Sequence, residues 1–240
     1  MPPLKRTKLS TKLLRDFSGE AAVIARFQRR LLQWYRRYKR DLPWRKTNDP
    51  YRILVSEIML HQTQVERVAP KYEEFLTKYP TVHTLANAPL KELKKTWYPL
   101  GYNYRPARLR TIARESIAKY HGKIPDSYDA LIAMDGIGRY TAGAILSFAY
   151  RQDQPTLDTN VARVLSRLLG IRGNLAKATA QKKLWWLAAA VIPKGQGYDF
   201  NQAMMDFGSM VCTARQPQCP TCCVKDVCRC YPQMYQIHFQ

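Results

Sequence analysis

The chain has 240 residues, 39 Lys plus Arg against 18 Asp plus Glu, a formal charge of +21 and 46% hydrophobic residues. That length holds one large core or two helical lobes, and the apolar content excludes a disordered polycation. The charge calls for a polyanionic partner, nucleic acid foremost and membrane or ribosomal surfaces as rivals; no apolar run reaches the roughly 18 residues of a membrane-spanning helix.

Residues 1–20 read as a basic arm, either a solvated tail or a loose phosphate contact. Pro3 to Arg15 is basic but lacks the apolar stretch of a secretory signal. An intracellular location, cytoplasm or nucleoid, is therefore expected. Leu14 to Tyr38 places apolar residues at helical spacing among Arg and Lys, and ends before the break Asp41-Leu42-Pro43-Trp44-Arg45. Asp49-Pro50 is a favourable helix start, and Ile53 to Val68 reads as the helix that follows. Shorter helices are expected over Tyr72–Tyr79, Thr84–Ala88 and Leu90–Trp97. Helical periodicity resumes over Arg105–Tyr120 and Ser127–Met134, separated by Gly122 and Pro125, and again over Gln181–Val191 and Phe200–Val211. No segment sustains a period of two. The expected fold class is all-α with two helical lobes. The middle lobe is expected at about 55–165, and the second from 21–54 plus 166–211.

Between two helical stretches lies Met134-Asp135-Gly136-Ile137-Gly138-Arg139-Tyr140-Thr141-Ala142. A Gly-x-Gly hairpin opens backbone conformations closed to other residues, and the following helix begins with N–H groups that can meet a phosphate. Such a contact positions a protein on a backbone without reading bases. An ordinary tight turn explains the same glycines equally well.

Cys212, Cys219, Cys222 and Cys228 follow a C-x6-C-x2-C-x5-C spacing. Four thiolates in a short loop can wrap one tetranuclear iron–sulfur cluster. A four-cysteine zinc site is the chemical rival, although zinc loops more often show two C-x2-C pairs. Disulfides suit an oxidising compartment, which nothing in the sequence calls for. Cys223 and Cys230 are left over and expected to be free. Two acids stand out by their surroundings: Glu57, in Val55-Ser56-Glu57-Ile58-Met59-Leu60, and Asp158, in Leu157-Asp158-Thr159-Asn160-Val161. On residue type alone, Glu57 is a solvated helix residue and Asp158 a helix N-cap.

Several segments, taken together and in order, resemble the MutY adenine-DNA glycosylases of the helix-hairpin-helix/endonuclease III superfamily. They are Leu42-Pro43-Trp44-Arg45, Ser56 through Val65, Leu100-Gly101-Tyr102, the hairpin, Leu157-Asp158, Phe200-Asn201-Gln202-Ala203-Met204-Met205-Asp206-Phe207-Gly208, and the cysteine loop 212–228. The match runs over roughly residues 25 to 230. The resemblance implies a helix-hairpin-helix fold with a C-terminal [4Fe-4S] loop held by Cys212, Cys219, Cys222 and Cys228. It implies excision of a mispaired base from double-stranded DNA, and one DNA site per chain points to a monomer. Glu57 would then protonate adenine N7, Asp158 would stabilise the sugar cation and Asn160 would support Asp158. Removing a base by hydrolysis needs both a proton donor and a stabilising carboxylate.

By the same resemblance, Tyr140 stands where bifunctional relatives place a nucleophilic lysine; a phenol forms no Schiff base, so a monofunctional enzyme is expected. Gln62, Thr63, Leu100 and Tyr102 match positions that wedge into the base stack and contact the estranged base. Gly136, Gly138, Arg139 and Thr141 belong to the phosphate-binding hairpin. Arg45, Gln202 and Val65 match the pocket of the flipped base, where the Gln202 amide can both donate and accept toward adenine. Thr159 stands where this branch usually has glycine, and His61 where it usually has glutamine. A C-terminal 8-oxoguanine-recognition domain is expected to be missing. Length favours the thymine/uracil glycosylases acting on G:T or G:U mismatches, and Gln202 favours adenine opposite guanine or 8-oxoguanine. A non-catalytic iron–sulfur DNA-binding protein is the remaining alternative.

Overall fold

A computed structural model describes residues 21–231. Eleven α-helices and two short 3-10 turns make up the regular structure among them. None of these helices is long and apolar enough to cross a membrane. The described residues divide into two compact units, residues 41–151 and the flanks 21–40 with 152–231.

The continuous unit opens with the 3-10 turn Pro43–Arg45, followed by α2 (Pro50–Leu60), α3 (Val65–Lys78), α4 (Val82–Asn87), α5 (Leu90–Trp97), α6 (Tyr104–Tyr120), α7 (Tyr128–Ile132) and α8 (Arg139–Phe148). Helix α2 starts as the sequence predicts, with Asp49 capping the Tyr51 N–H at 2.8 Å and Pro50 in the first turn, where its missing donor costs nothing. Every residue from Ile53 to Met59 is buried. That all-round burial identifies α2 as the central element, packed against α3, α6 and α8. Trp44 stacks edge-on against Tyr72 at 5.6 Å, Phe75 against Trp97 at 5.8 Å, and the Tyr51 hydroxyl donates to the Tyr79 carbonyl at 2.6 Å.

The single helix expected over Ile53–Val68 is instead two. It stops at Leu60, the chain turns through Gln62 at φ 57°, and α3 begins at Val65 and absorbs the separately expected Tyr72–Tyr79 stretch. The reason is tertiary. The buried Arg105 guanidinium takes the carbonyls of Ile58, Met59 and His61, at 3.2, 2.8 and 2.6 Å. Those acceptors would otherwise serve a continuing helix.

The flanking unit contains α1 (Ala21–Tyr38), α9 (Thr159–Leu168), α10 (Ala178–Ala190), α11 (Gly197–Met210) and the 3-10 turn Lys225–Val227. The part of the expected first helix before residue 21, and the basic arm, lie outside the described residues. Helix α11 packs against α1 and α9, and α10 against α9. Phe27, Leu31, Leu165, Phe200 and Phe207 lie at the centre of this core, with Phe27 edge-on to Phe200 at 6.2 Å. Burial of such side chains contributes roughly 1.5–3 kcal/mol each. Trp186 joins the core while Trp185 is half-buried against it.

The lobe boundaries differ from the expected 55–165 and 21–54 plus 166–211. Helix α9 buries Val161, Val164, Leu165 and Leu168 among residues of the flanking core, which draws Asp158 into that unit. The 41–54 stretch joins the continuous unit because Trp44 and Tyr51 are buried within it.

Candidate functional site

Within residues 41–151, Glu57 lies on the central helix α2 at 3% exposure, so it is not the solvated residue that its type alone predicts. Beyond it the chain folds back through His61–Gln64. His61 is the α2 C-cap, and its Nε2 stands 3.5 Å from Thr141 Oγ1 at the start of α8. The imidazole is tilted 60° to the Tyr140 ring at a centroid distance of 6.3 Å. Burial, then the charges of Arg105 and Arg108, lower its pKa below the ordinary 6.5 and so disfavour the protonated ring. Glu57 and His61 on α2, with Tyr140 and Thr141 on α8, thus belong to one packed helix pair.

Arg105 organises the loops beside this pair, and sequence reading missed it. At 1% exposure it also donates to Thr63 Oγ1 at 3.0 Å and to the carbonyls of Leu100 and Gly101, at 2.9 and 3.2 Å. Its guanidinium lies over the Trp97 and Tyr102 rings, at 5.3 and 5.1 Å. One cation therefore joins Thr63 to Leu100 and Tyr102, three residues that the sequence comparison grouped as DNA contacts. The outcome differs among them: Gln62 is exposed and Tyr102 is 49% exposed, whereas Leu100 is 3% exposed.

The hairpin glycines differ from each other. Gly136 has φ 92°, and a Cβ there would come within 2.5 Å of the Arg108 side chain. Gly138 is the α8 N-cap at φ −88°, with open space where a Cβ would sit. No side chain caps α8. Arg139 and Tyr140 are half-buried in its first turn, and burial lowers the Arg139 pKa from its ordinary value. Arg45, at the end of the 3-10 turn, and Val65, at the start of α3, are both half-buried.

The flanking unit holds the other carboxylate. Asp158 is the N-cap of α9: Oδ1 accepts from the Val161 N–H at 2.7 Å, and Oδ2 from Asn160 Nδ2 at 3.0 Å. Arg163 in turn donates to Asn160 Oδ1 at 2.7 Å, to the Gly208 carbonyl at 2.7 Å and to the Cys212 carbonyl at 2.8 Å. Gly208 permits this approach, since a Cβ would lie 2.7 Å from Asn160 Cβ. Gln202 is 4% exposed on α11. Next to it, the Asn201 amide donates to the Gln154 carbonyl at 2.7 Å.

Cys212, Cys219, Cys222 and Cys228 line one apolar cavity, walled by Phe27, Val164, Leu168 and Phe207. Arg167 faces it, donating to the Cys212 sulfur at 3.5 Å and to the carbonyls of Thr213 and Ala214, at 2.6 and 3.1 Å. Burial pushes the Cys222 thiol up to about 12 and Cys228 up to about 11, and raises Cys219 as well. Among the described residues no three His, Cys, Asp or Glu side chains are grouped so as to hold a metal ion. Arg163 and Arg167, like Arg105, carried no signal in the sequence beyond being basic.

Adenine DNA glycosylase of Rattus norvegicus is 41% identical over 229 residues, which are 92% of this chain and 44% of that protein. The chain thus spans less than half the length of that relative. Thymine-DNA glycosylase of Aeropyrum pernix is 38% identical over 212 residues, covering 87% of this chain and 95% of that protein. The solved structure of a thermostable thymine-DNA glycosylase superposes with a TM-score of 0.83 at 32% identity, covering 88% of this chain and 98% of that one. The family described as HhH-GPD superfamily base excision DNA repair protein matches residues 55–189, from α2 through the hairpin to α10, and the chain belongs to that family.

Proposed function

We propose that this chain is a monofunctional DNA glycosylase of intracellular base excision repair, acting on duplex DNA and removing adenine mispaired with guanine or 8-oxoguanine. The observation that carries the reading is the setting of Asp158. Both of its oxygens accept hydrogen bonds from donors of α9, and Asn160 is itself held by Arg163. A carboxylate oriented before the reaction stabilises a developing cation without reorganising at the moment of bond breaking.

In this reading the base is flipped from the stack, at a cost of a few kcal/mol that inserted side chains offset. Gln62 and Tyr102 are the exposed candidates for insertion, with Thr63 and the buried Leu100 shaping the loop behind them. Glu57, buried on α2, delivers its proton to adenine N7, and the bond from C1′ to N9 breaks with its electrons passing to the base. Asp158 stabilises the oxocarbenium-like sugar. Water then adds at C1′ and gives its proton to Glu57, which restores the acid. Tyr140 has no amine with which to form a Schiff base, so the abasic strand is left intact. In this reading Arg45, Val65 and Gln202 are the candidates for contacting the flipped base, the Gln202 amide being able both to donate and to accept toward adenine. Gly136, Gly138, Arg139 and Thr141 hold a phosphate at the uncapped start of α8.

The cysteine loop fits a [4Fe-4S] cluster. Each iron of such a cluster takes its own thiolate, so ligands arranged around a cavity suit it better than ligands converging on a point. Bound there, the cluster would tie Cys212, Cys219, Cys222 and Cys228 into one unit, with Arg167 donating to the Cys212 sulfur.

Thymine or uracil excision from G:T or G:U mismatches is the second reading, favoured by the TM-score of 0.83 to a thymine-DNA glycosylase. Single-turnover base release from duplexes carrying A opposite G, A opposite 8-oxoguanine and T opposite G decides between them. Adenine release, with strand breaks only after alkali, is expected. Thymine release would transfer the reading to the second class, and no release from any duplex would leave a DNA-docking protein.

A further inference from the structure

Four of the six cysteines follow the cluster spacing, and the remaining two differ in where the structure places them. Cys223 faces α1: its carbonyl accepts from Arg30 at 3.2 Å, and its thiol interacts with Arg30 and Asp226. Cys230 instead lines the same cavity as Cys212, Cys219, Cys222 and Cys228.

The backbone explains how a residue two positions past the last spaced cysteine reaches that wall. Three successive anchors tie this stretch to the end of α9 and to itself. The N–H of Arg229 donates to the Leu168 carbonyl at 3.0 Å, that of Cys230 to the Arg167 carbonyl at 3.2 Å, and that of Tyr231 to the Cys228 carbonyl at 3.1 Å. The Arg167 carbonyl also accepts from the Cys228 sulfur at 3.4 Å, so Cys228 and Cys230 gather on one acceptor. Arg229, between them, directs its guanidinium to the Leu169 carbonyl at 3.5 Å. The bond from Tyr231 to Cys228 closes a turn through Arg229 and Cys230, and both Cys228 and Cys230 line the cavity on this turn.

We propose that Cys230 is a reserve iron ligand, able to take over the iron that Cys228 holds. The proposal rests on the cluster reading given above. The exchange is thiolate for thiolate: the iron bond to Cys228 sulfur breaks, one to Cys230 sulfur forms, and the Cys230 proton passes to the released Cys228 thiolate. No electron is transferred and the charge of the site is unchanged. Cys223, turned toward Arg30 and Asp226, cannot play this part.

The experiment measures iron and acid-labile sulfide per chain in the full-length protein, alongside its visible absorption and helical content. It compares wild type with C212S, C228S, C230S, C223S/C228S and C228S/C230S. Expected are about four irons in wild type and C230S, and a cluster retained in both C228S and C223S/C228S. Loss of the cluster is expected in C212S and C228S/C230S. Alkylation mapped by mass spectrometry on C228S should find Cys230 protected and Cys223 reactive. A C228S chain as empty of iron as C212S, folded or not, overturns the proposal, as does a Cys230 that alkylates as fast as Cys223. Wild-type protein that contains zinc and no sulfide overturns the cluster reading itself, and the reserve ligand with it.

Discussion

Arg163 Nη2 donates to Asn160 Oδ1 at 2.7 Å, and the same guanidinium holds the Gly208 and Cys212 carbonyls. Asn160 passes that constraint to Asp158 through its own amide at 3.0 Å. Orientation of the carboxylate on α9 therefore depends on an arginine that also fixes the start of the cysteine loop. Arg163→Ala should slow single-turnover base release roughly 10-fold, the equivalent of about 1.4 kcal/mol, with a smaller change in duplex affinity. Rapid-quench rates and Kd measured on the same duplex check this, and an unchanged rate would detach Arg163 from Asp158.

Glu57→Gln removes the buried acid and leaves every phosphate contact in place. Base release should fall by about 100-fold or more, with Kd for the mismatched duplex nearly unchanged. Gel-shift titration beside a base-release assay measures both, and retained turnover would remove Glu57 from the mechanism.

Arg105→Met should destabilise the chain by about 3 kcal/mol or more, because the carbonyls of Ile58, Met59 and Leu100 lose a charged donor. Denaturant unfolding reads this directly. Because Arg105 also holds Thr63 and underlies Tyr102, residual folded protein should bind mismatched duplex less tightly.

His61 carries a pH signature. Its folded pKa is lowered, first by burial and then by Arg105 and Arg108, so the folded state binds its proton later than the unfolded chain does. The associated stability is present above the unfolded value of 6.5 and is lost as pH falls from there toward the folded pKa. His61→Gln should flatten the pH dependence of stability between about pH 7 and pH 5. Thermal unfolding across that range, wild type against variant, is the check; parallel curves would show that the ring titrates normally.

The two hairpin glycines separate folding from binding. Gly136→Ala should lower Tm, since it places a Cβ at positive φ against Arg108. Gly138→Ala should leave Tm nearly unchanged, having ordinary φ and open space, yet weaken binding to matched and mismatched duplexes alike. Equal affinity of Gly138→Ala and wild type would move the phosphate away from this turn.

Local chemistry was enough to read the all-helical class, the Asp49-Pro50 and Asp158 helix starts, the hairpin and the spaced cysteines. Caps, glycines and thiol spacing act over a few residues, so their consequences stay near them in the chain. Tertiary structure alone decided that Glu57 is buried and that Leu100 is buried while Tyr102 is exposed. It also decided that the helix after Ile53 stops at Leu60. The last follows from Arg105, one of 39 basic residues and indistinguishable from the others until folding brings it to carbonyls more than 40 positions away. Cys223 and Cys230 show the same division. The sequence leaves both outside the ligand spacing, and only the anchoring of 228–231 on the end of α9 turns one toward the cavity while the other faces α1.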